Sequence, residues 1–273
     1  ELVPIVLEHG AHRHGRCVAQ GADGATHDVF GHAVELVHVV RAALAVLEVK
    51  NLFNQDVKTN AVEVLERQLR RAAPGNVFVS SACDGWQPLE AEYSLTRECC
   101  RLLVRHGFQV NALTKSALIL RDLDIFAGST ARVGVTVTTL DPRLAALWEP
   151  HASPVEDRLR VLEEAHAAGL HTSVMFGPLL PFLYDTYENI YALLERAAAL
   201  RVDTIWVDAF NPRPMVWEAT AALLDKEFPG LRERYQRVLF SPPVRHAYLA
   251  ALRGHIATAA ERLKIMDRVS SCV

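Results

Sequence analysis

From Val57 onward the chain alternates between two hydrophobic patterns. Short apolar runs of strand length are followed by longer segments whose apolar residues recur every three or four positions. Asn76–Ala82, Gln109–Leu113, Ala131–Val137, Thr172–Phe176 and Asp203–Asp208 read as five strands. Asn60 with Glu63 opens a helix whose Val62, Leu65 and Leu69 share one side, and Pro74-Gly75 closes it. Glu92–His106, stopped by Gly107, and Ala117–Ala127 supply the next two helices. Ser153-Pro154-Val155-Glu156 predicts a helix with Ser as N-cap, Pro at N1 and Glu at N3, running to Gly169. Asp185–Leu200, Val216–Lys226 and Pro242–Arg262 complete the helical set.

Strands alternating with helices at this pitch imply an α/β fold with a parallel sheet. No GxGxxG follows the first strand and no GxxxxGK[ST] occurs, so a partial parallel (β/α) barrel is favoured over a doubly wound nucleotide fold. In such barrels chemistry sits at the C-terminal strand ends. That rule selects Ser81-Ala82-Cys83-Asp84, Thr114-Lys115-Ser116, Thr136–Thr139, Gly177-Pro178 and Asp208–Arg213.

The first 50 residues differ in character. They hold six of the twelve histidines and no Ser, Asn, Trp, Tyr or Met. Residues 1–56 therefore read as an atypical histidine-rich segment, foreign in composition to a barrel over 57–235 and a helical extension over 236–273. Ala33–Leu47 has helical character, and His12-x-His14 is a zinc motif without a clear third ligand. A chain that opens on Glu1 reads as a fragment or processed product. A net charge of −3 argues against a dedicated nucleic-acid binder. No apolar run reaches the roughly 18 residues of a membrane span and no signal peptide is evident, which makes the cytoplasm the expected compartment. The five cysteines, an odd number with two adjacent, do not suggest a disulfide framework.

The strand ends also carry a family likeness. VFVSSACDGWQPLE (Val77–Glu90), Ser94–Arg97, LTKSALILRDLD (Leu113–Asp124), GVTVTTLD (Gly134–Asp141), Glu149-Pro150 and Phe210–Pro214 resemble, in order and spacing, successive motifs of the spore-photoproduct-lyase-like radical S-adenosylmethionine (radical SAM) proteins. The resemblance covers roughly 180 residues. It implies a radical SAM-type barrel with C-terminal helices. It also implies S-adenosylmethionine and a 4Fe–4S cluster as cofactors, with reductive cleavage to a 5′-deoxyadenosyl radical. By the same likeness Lys115 and Thr136 lie near the S-adenosylmethionine carboxylate, and Cys83-Asp84 lies in the cofactor loop. Cys83 stands where the family usually has Ser or Thr. Glu149 is a candidate acceptor for an adenosine hydroxyl, or else ends its helix. Asn211 and Arg213, the latter between Pro212 and Pro214, are placed for a substrate anion. Gln87 and Glu90 are expected to orient their loop.

The family holds its cluster in a Cys-x3-Cys-x2-Cys loop, and Cys17, Cys83, Cys99, Cys100 and Cys272 offer no such spacing. Two functions follow as expectations. One is a radical SAM-type enzyme of unknown substrate (nucleic acid by analogy only), inactive as the chain is written unless a cluster loop is restored. The other is a non-catalytic barrel that binds a small molecule or serves as an interaction module.

Overall fold

The structure, a computed structural model, describes residues 18–20, 26–28, 57, 59–79 and 83–273. The expected helix over Ala33–Leu47 and the pair His12 and His14 lie outside the described residues, as do positions 80–82 at the end of the first strand. The main sheet has strands β1 Asn76–Val79, β2 Gln109–Thr114, β3 Arg132–Val137, β4 His171–Leu179, β5 Thr204–Ala209 and β6 Val269–Ser271. Every pairing is parallel, and the order in space is the order in the chain. Val18–Gln20 and Thr26–Asp28 pair antiparallel with each other in a separate sheet.

The helices are α1 Ala61–Leu69, α2 Leu95–Arg105, α3 Pro142–Trp148, α4 Val155–Ala167, α5 Tyr187–Ala199, α6 Pro214–Glu227, α7 Leu231–Phe240 and α8 Pro242–Leu263. Right-handed crossovers between strands in sequential order put the connecting helices on one face of the sheet. That face carries Val77, Val79, Val110, Val133, Val135, Val137, Val174, Phe176, Ile205 and Val207, which join Leu65, Leu103, Leu162, Leu193 and Ile256 in one core. This is the α/β half-barrel with C-terminal helices that the alternation implied.

The opposite face follows from the two-residue period of strands. Its register rows are Phe78, Asn111, Arg132 and His171, then Leu113, Gly134, Ser173 and Thr204, then Thr136, Met175, Trp206 and Ser270. Gly134 is demanded by its row, since a Cβ there would meet Ser173 Oγ at 2.3 Å and Leu113 Cδ1 at 3.2 Å.

Several local expectations are revised. Ser153 does not cap α4; Pro154 holds that position, and Ser153 Oγ accepts from Ala117 N at 2.8 Å across the barrel rim. The segment expected as one helix over Glu92–His106 breaks at Ser94, whose φ of 52° lies in the left-handed region. The helix expected from Asp185 begins at Tyr187, capped by Thr186, which accepts from Asn189 N. Residues 236–273 are not helical throughout, because β6 returns to the sheet beside β5. None of the helices among the described residues is long and apolar enough to cross a membrane.

Candidate functional site

Strands β2 and β3 deliver the polar residues of the mouth. Lys115 follows β2 and is fixed at both backbone groups: its N–H donates to Asp84 Oδ2 at 2.7 Å, and its carbonyl accepts from Ser153 N at 2.9 Å. Asp84 Oδ1 takes the Thr114 hydroxyl at 2.6 Å and Trp86 N at 2.9 Å. One carboxylate thus joins the loop after β1 to the end of β2, as an aspartate rich in acceptor sites can.

Glu149, at the end of α3, lies at the centre of a second set of bonds. Its Oε1 receives the Lys115 ammonium at 2.8 Å and the Thr138 hydroxyl at 2.8 Å. Its Oε2 receives Arg158 at 2.8 Å, and the same guanidinium nitrogen donates to Thr136 O at 2.7 Å. Arg158 is 1% exposed on α4, and its Nε has no hydrogen-bond partner. Burial pushes the Glu149 carboxyl up, but the Lys115 and Arg158 charges overcome that and hold it below its ordinary value. Lys115, Thr136, Asp84 and Glu149 are therefore brought together by one bonded network, which Arg158 and Thr138 complete.

A third network braces the loop after β1. Glu90 accepts from Thr96 N at 2.8 Å and Arg97 N at 3.0 Å, and so orients this loop. Arg121 bonds Glu90 and Asp122, while Arg97 bonds Asp122 and is bidentate to Asp124 at 2.7 Å. Asp122 is wholly buried and also takes Trp86 Nε1 at 2.8 Å. The charged end of TKSALILRDLD is thus structural cement for the site loop.

Asn211 and Arg213 lie on the loop after β5 and take no part in these bonds. Asn211 is exposed and Arg213 half-buried. On the same strand end Asp208 is raised to about 6 by burial, which outweighs its backbone bond from Ala209 and the charges of Arg213 and Arg245. Asp208 has no salt bridge among the described residues, and a Cβ on neighbouring Gly177 would lie 3.0 Å from its Cβ. Cys83 is half-buried next to Asp84. Cys99 and Cys100 are buried on α2; desolvation, then Glu90 and Glu98, pushes Cys99 up to about 12, and burial raises Cys100 as well. Among the described residues no group of three or more His, Cys, Asp or Glu side chains is arranged to hold a metal ion.

This half-barrel is shared with known proteins. Spore photoproduct lyase complexed with dinucleoside spore photoproduct superposes with a TM-score of 0.56 at 11% identity, over 80% of this chain and 67% of that one. A double mutant of the same enzyme with bound AdoMet and dinucleoside spore photoproduct gives 0.55 over the same shares. The fold is radical SAM-like. In sequence, an uncharacterized protein of Mycobacterium tuberculosis (strain H37Rv) is 30% identical over 219 residues, 77% of this chain and 64% of that protein. An uncharacterized protein of Methanocaldococcus jannaschii is 28% identical over 130 residues, 47% of this chain and 49% of that one. The chain thus spans under two thirds of the length of these relatives. No protein-family model matches it.

Sequence reasoning missed Arg158, while Thr138 and Asp208 fell within the selected strand ends without being singled out as site residues. Asp208 stands at a selected strand end and was within reach of that rule. Arg158 lies inside an amphipathic helix, where an arginine ordinarily faces solvent.

Proposed function

We propose that this chain is a ligand-binding half-barrel of the radical SAM type whose mouth takes S-adenosylmethionine. The observation that supports it is Lys115, pinned through both backbone groups and its ammonium at the C-terminal ends of β2 and β3, beside Thr136. An ammonium has three donors, and among the described residues only Glu149 takes one, which leaves two for a ligand carboxylate. The Lys115 side chain is 30% exposed, which leaves it reachable from solvent. The sheet face opposite the helices carries Met175, half-buried and on the same register row as Thr136, as apolar surface for the rest of the molecule. Cys83 and Asp84 form the loop beside this cofactor position, and Asn211 and Arg213 offer an amide and a cation to a substrate anion on the β5 side.

S-adenosylmethionine, when bound, supplies an activated sulfonium. A 4Fe–4S cluster needs three converging thiolates. Cys99 and Cys100 are buried on a helix with raised thiol pKa values, and no group of three or more potential ligands converges among the described residues. The described cysteines do not fit a cluster, and no radical step is assigned to these residues.

The test is calorimetric titration of the full chain with S-adenosylmethionine, beside iron and sulfide analysis after anaerobic reconstitution. Saturable binding that is lost in Lys115→Ala, without a stoichiometric cluster, is the expected result. Binding that Lys115→Ala leaves intact overturns the site. A stoichiometric cluster overturns the reading of the cysteines.

A further inference from the structure

The bonds around Lys115 separate two tasks, touching a ligand and aiming the group that touches it. A lysine side chain is a flexible stem whose rotamer freedom costs up to about 2 kcal/mol to freeze on binding. Here the freezing is done before any ligand arrives, since the ammonium rests on Glu149 Oε1 at 2.8 Å. Glu149 is itself held at both oxygens: Thr138 Oγ1 donates to Oε1 at 2.8 Å, and Arg158 donates to Oε2 at the same distance. Arg158 is in turn tied to the β3 backbone at Thr136 O. The chain of contacts runs from β3 through α4 and the end of α3 to the residue after β2.

A buried arginine is a poor investment for stability alone, because desolvating a guanidinium and a carboxylate offsets most of their attraction. Arg158 and Glu149 are respectively 1% and 4% exposed in their side chains, yet the lysine they lead to is 30% exposed at the mouth. Charge is buried in order to hold a charge at the surface.

We propose that Glu149 and Arg158 are positioning residues, which fix the Lys115 ammonium at the barrel mouth for an anionic group of the ligand. The inference rests on the S-adenosylmethionine reading for the identity of that ligand, and on geometry alone for the positioning. It gives Glu149 a role through Lys115 rather than at an adenosine hydroxyl.

The experiment uses the full chain with Glu149→Gln, Glu149→Asp and Arg158→Met, and Arg160→Met as an exposed control on the same helix. Two readouts are taken: S-adenosylmethionine affinity by calorimetry, and the 15N ammonium resonance of Lys115, assigned through Lys115→Arg among the five lysines. An ion-paired ammonium exchanges its protons slowly and gives a resolved signal, which is expected in the unliganded wild type. Glu149→Gln is expected to lose that signal and to bind roughly tenfold more weakly, the equivalent of about 1.4 kcal/mol for one charge-assisted bond. Glu149→Asp is expected to recover part of both, and Arg160→Met to change neither. Should Arg158→Met fail to fold, the wild-type resonance and the two Glu149 variants still decide the matter. A wild-type Lys115 signal as fast-exchanging as those of the other lysines overturns the positioning, as does unchanged affinity in Glu149→Gln. If wild type binds no S-adenosylmethionine but the resonance is present and lost in Glu149→Gln, the ligand reading fails and the positioning stands.

Discussion

Asp208→Asn is expected to stabilise this protein at neutral pH, and the gain should vanish in acid. The carboxyl sits at the end of β5 without a salt bridge among the described residues, and burial raises it from its ordinary 3.8 to about 6. Because the folded state holds this proton more tightly than the unfolded chain, stability is highest below the unfolded value and falls as pH rises through about 4 to 6. Above that window the full cost of the half-buried anion is present. A shift of about two units at about 1.36 kcal/mol each amounts to roughly 3 kcal/mol. Asparagine keeps the shape and an oxygen for Ala209 N–H but carries no charge, so about 2 kcal/mol of net gain is expected at pH 8. Urea unfolding of wild type and variant across about pH 4 to 8 measures the difference directly, and the subtraction cancels other titrating groups such as Asp185. A variant no more stable than wild type at pH 8 would refute the reasoning, and so would a gain that persists undiminished at pH 4.

Asp122→Ala leaves Arg97, Arg121 and Trp86 Nε1 without their shared acceptor. It is expected to cost about 3 kcal/mol or more in urea unfolding. Gly134→Ala forces a methyl against Ser173 Oγ; a loss of about 1–3 kcal/mol and a lower melting temperature are expected, as for other overpacked sites. Cys99 and Cys100 should resist iodoacetamide at about pH 8 while the protein is folded and react in urea, as read by mass spectrometry, since burial both hides them and suppresses their thiolates. Alkylation of the folded chain at either position would contradict the packing of α2.

The order of strands and helices was legible from the chain because alternating and helical periodicities are local properties. Five of the six parallel strands lie where short apolar runs predicted them. The sixth, Val269–Ser271, was not legible, since three residues carry too little pattern and gain their strand character only by pairing with Ile205–Val207. Ser153 shows the same limit: its local sequence made it a helix cap, but the barrel rim offered Ala117 N as a better placed donor. Strand ends selected Lys115, Asp84 and Thr136 because barrel topology puts such ends at one mouth. The sequence by itself could not join them to Arg158, whose position within a helix makes it look solvent-facing. Hydrogen bonds between residues such as Thr136 and Arg158 depend on how α4 packs on β3. Which charges are buried, and which one stays exposed at the barrel mouth, is decided only when these elements come together.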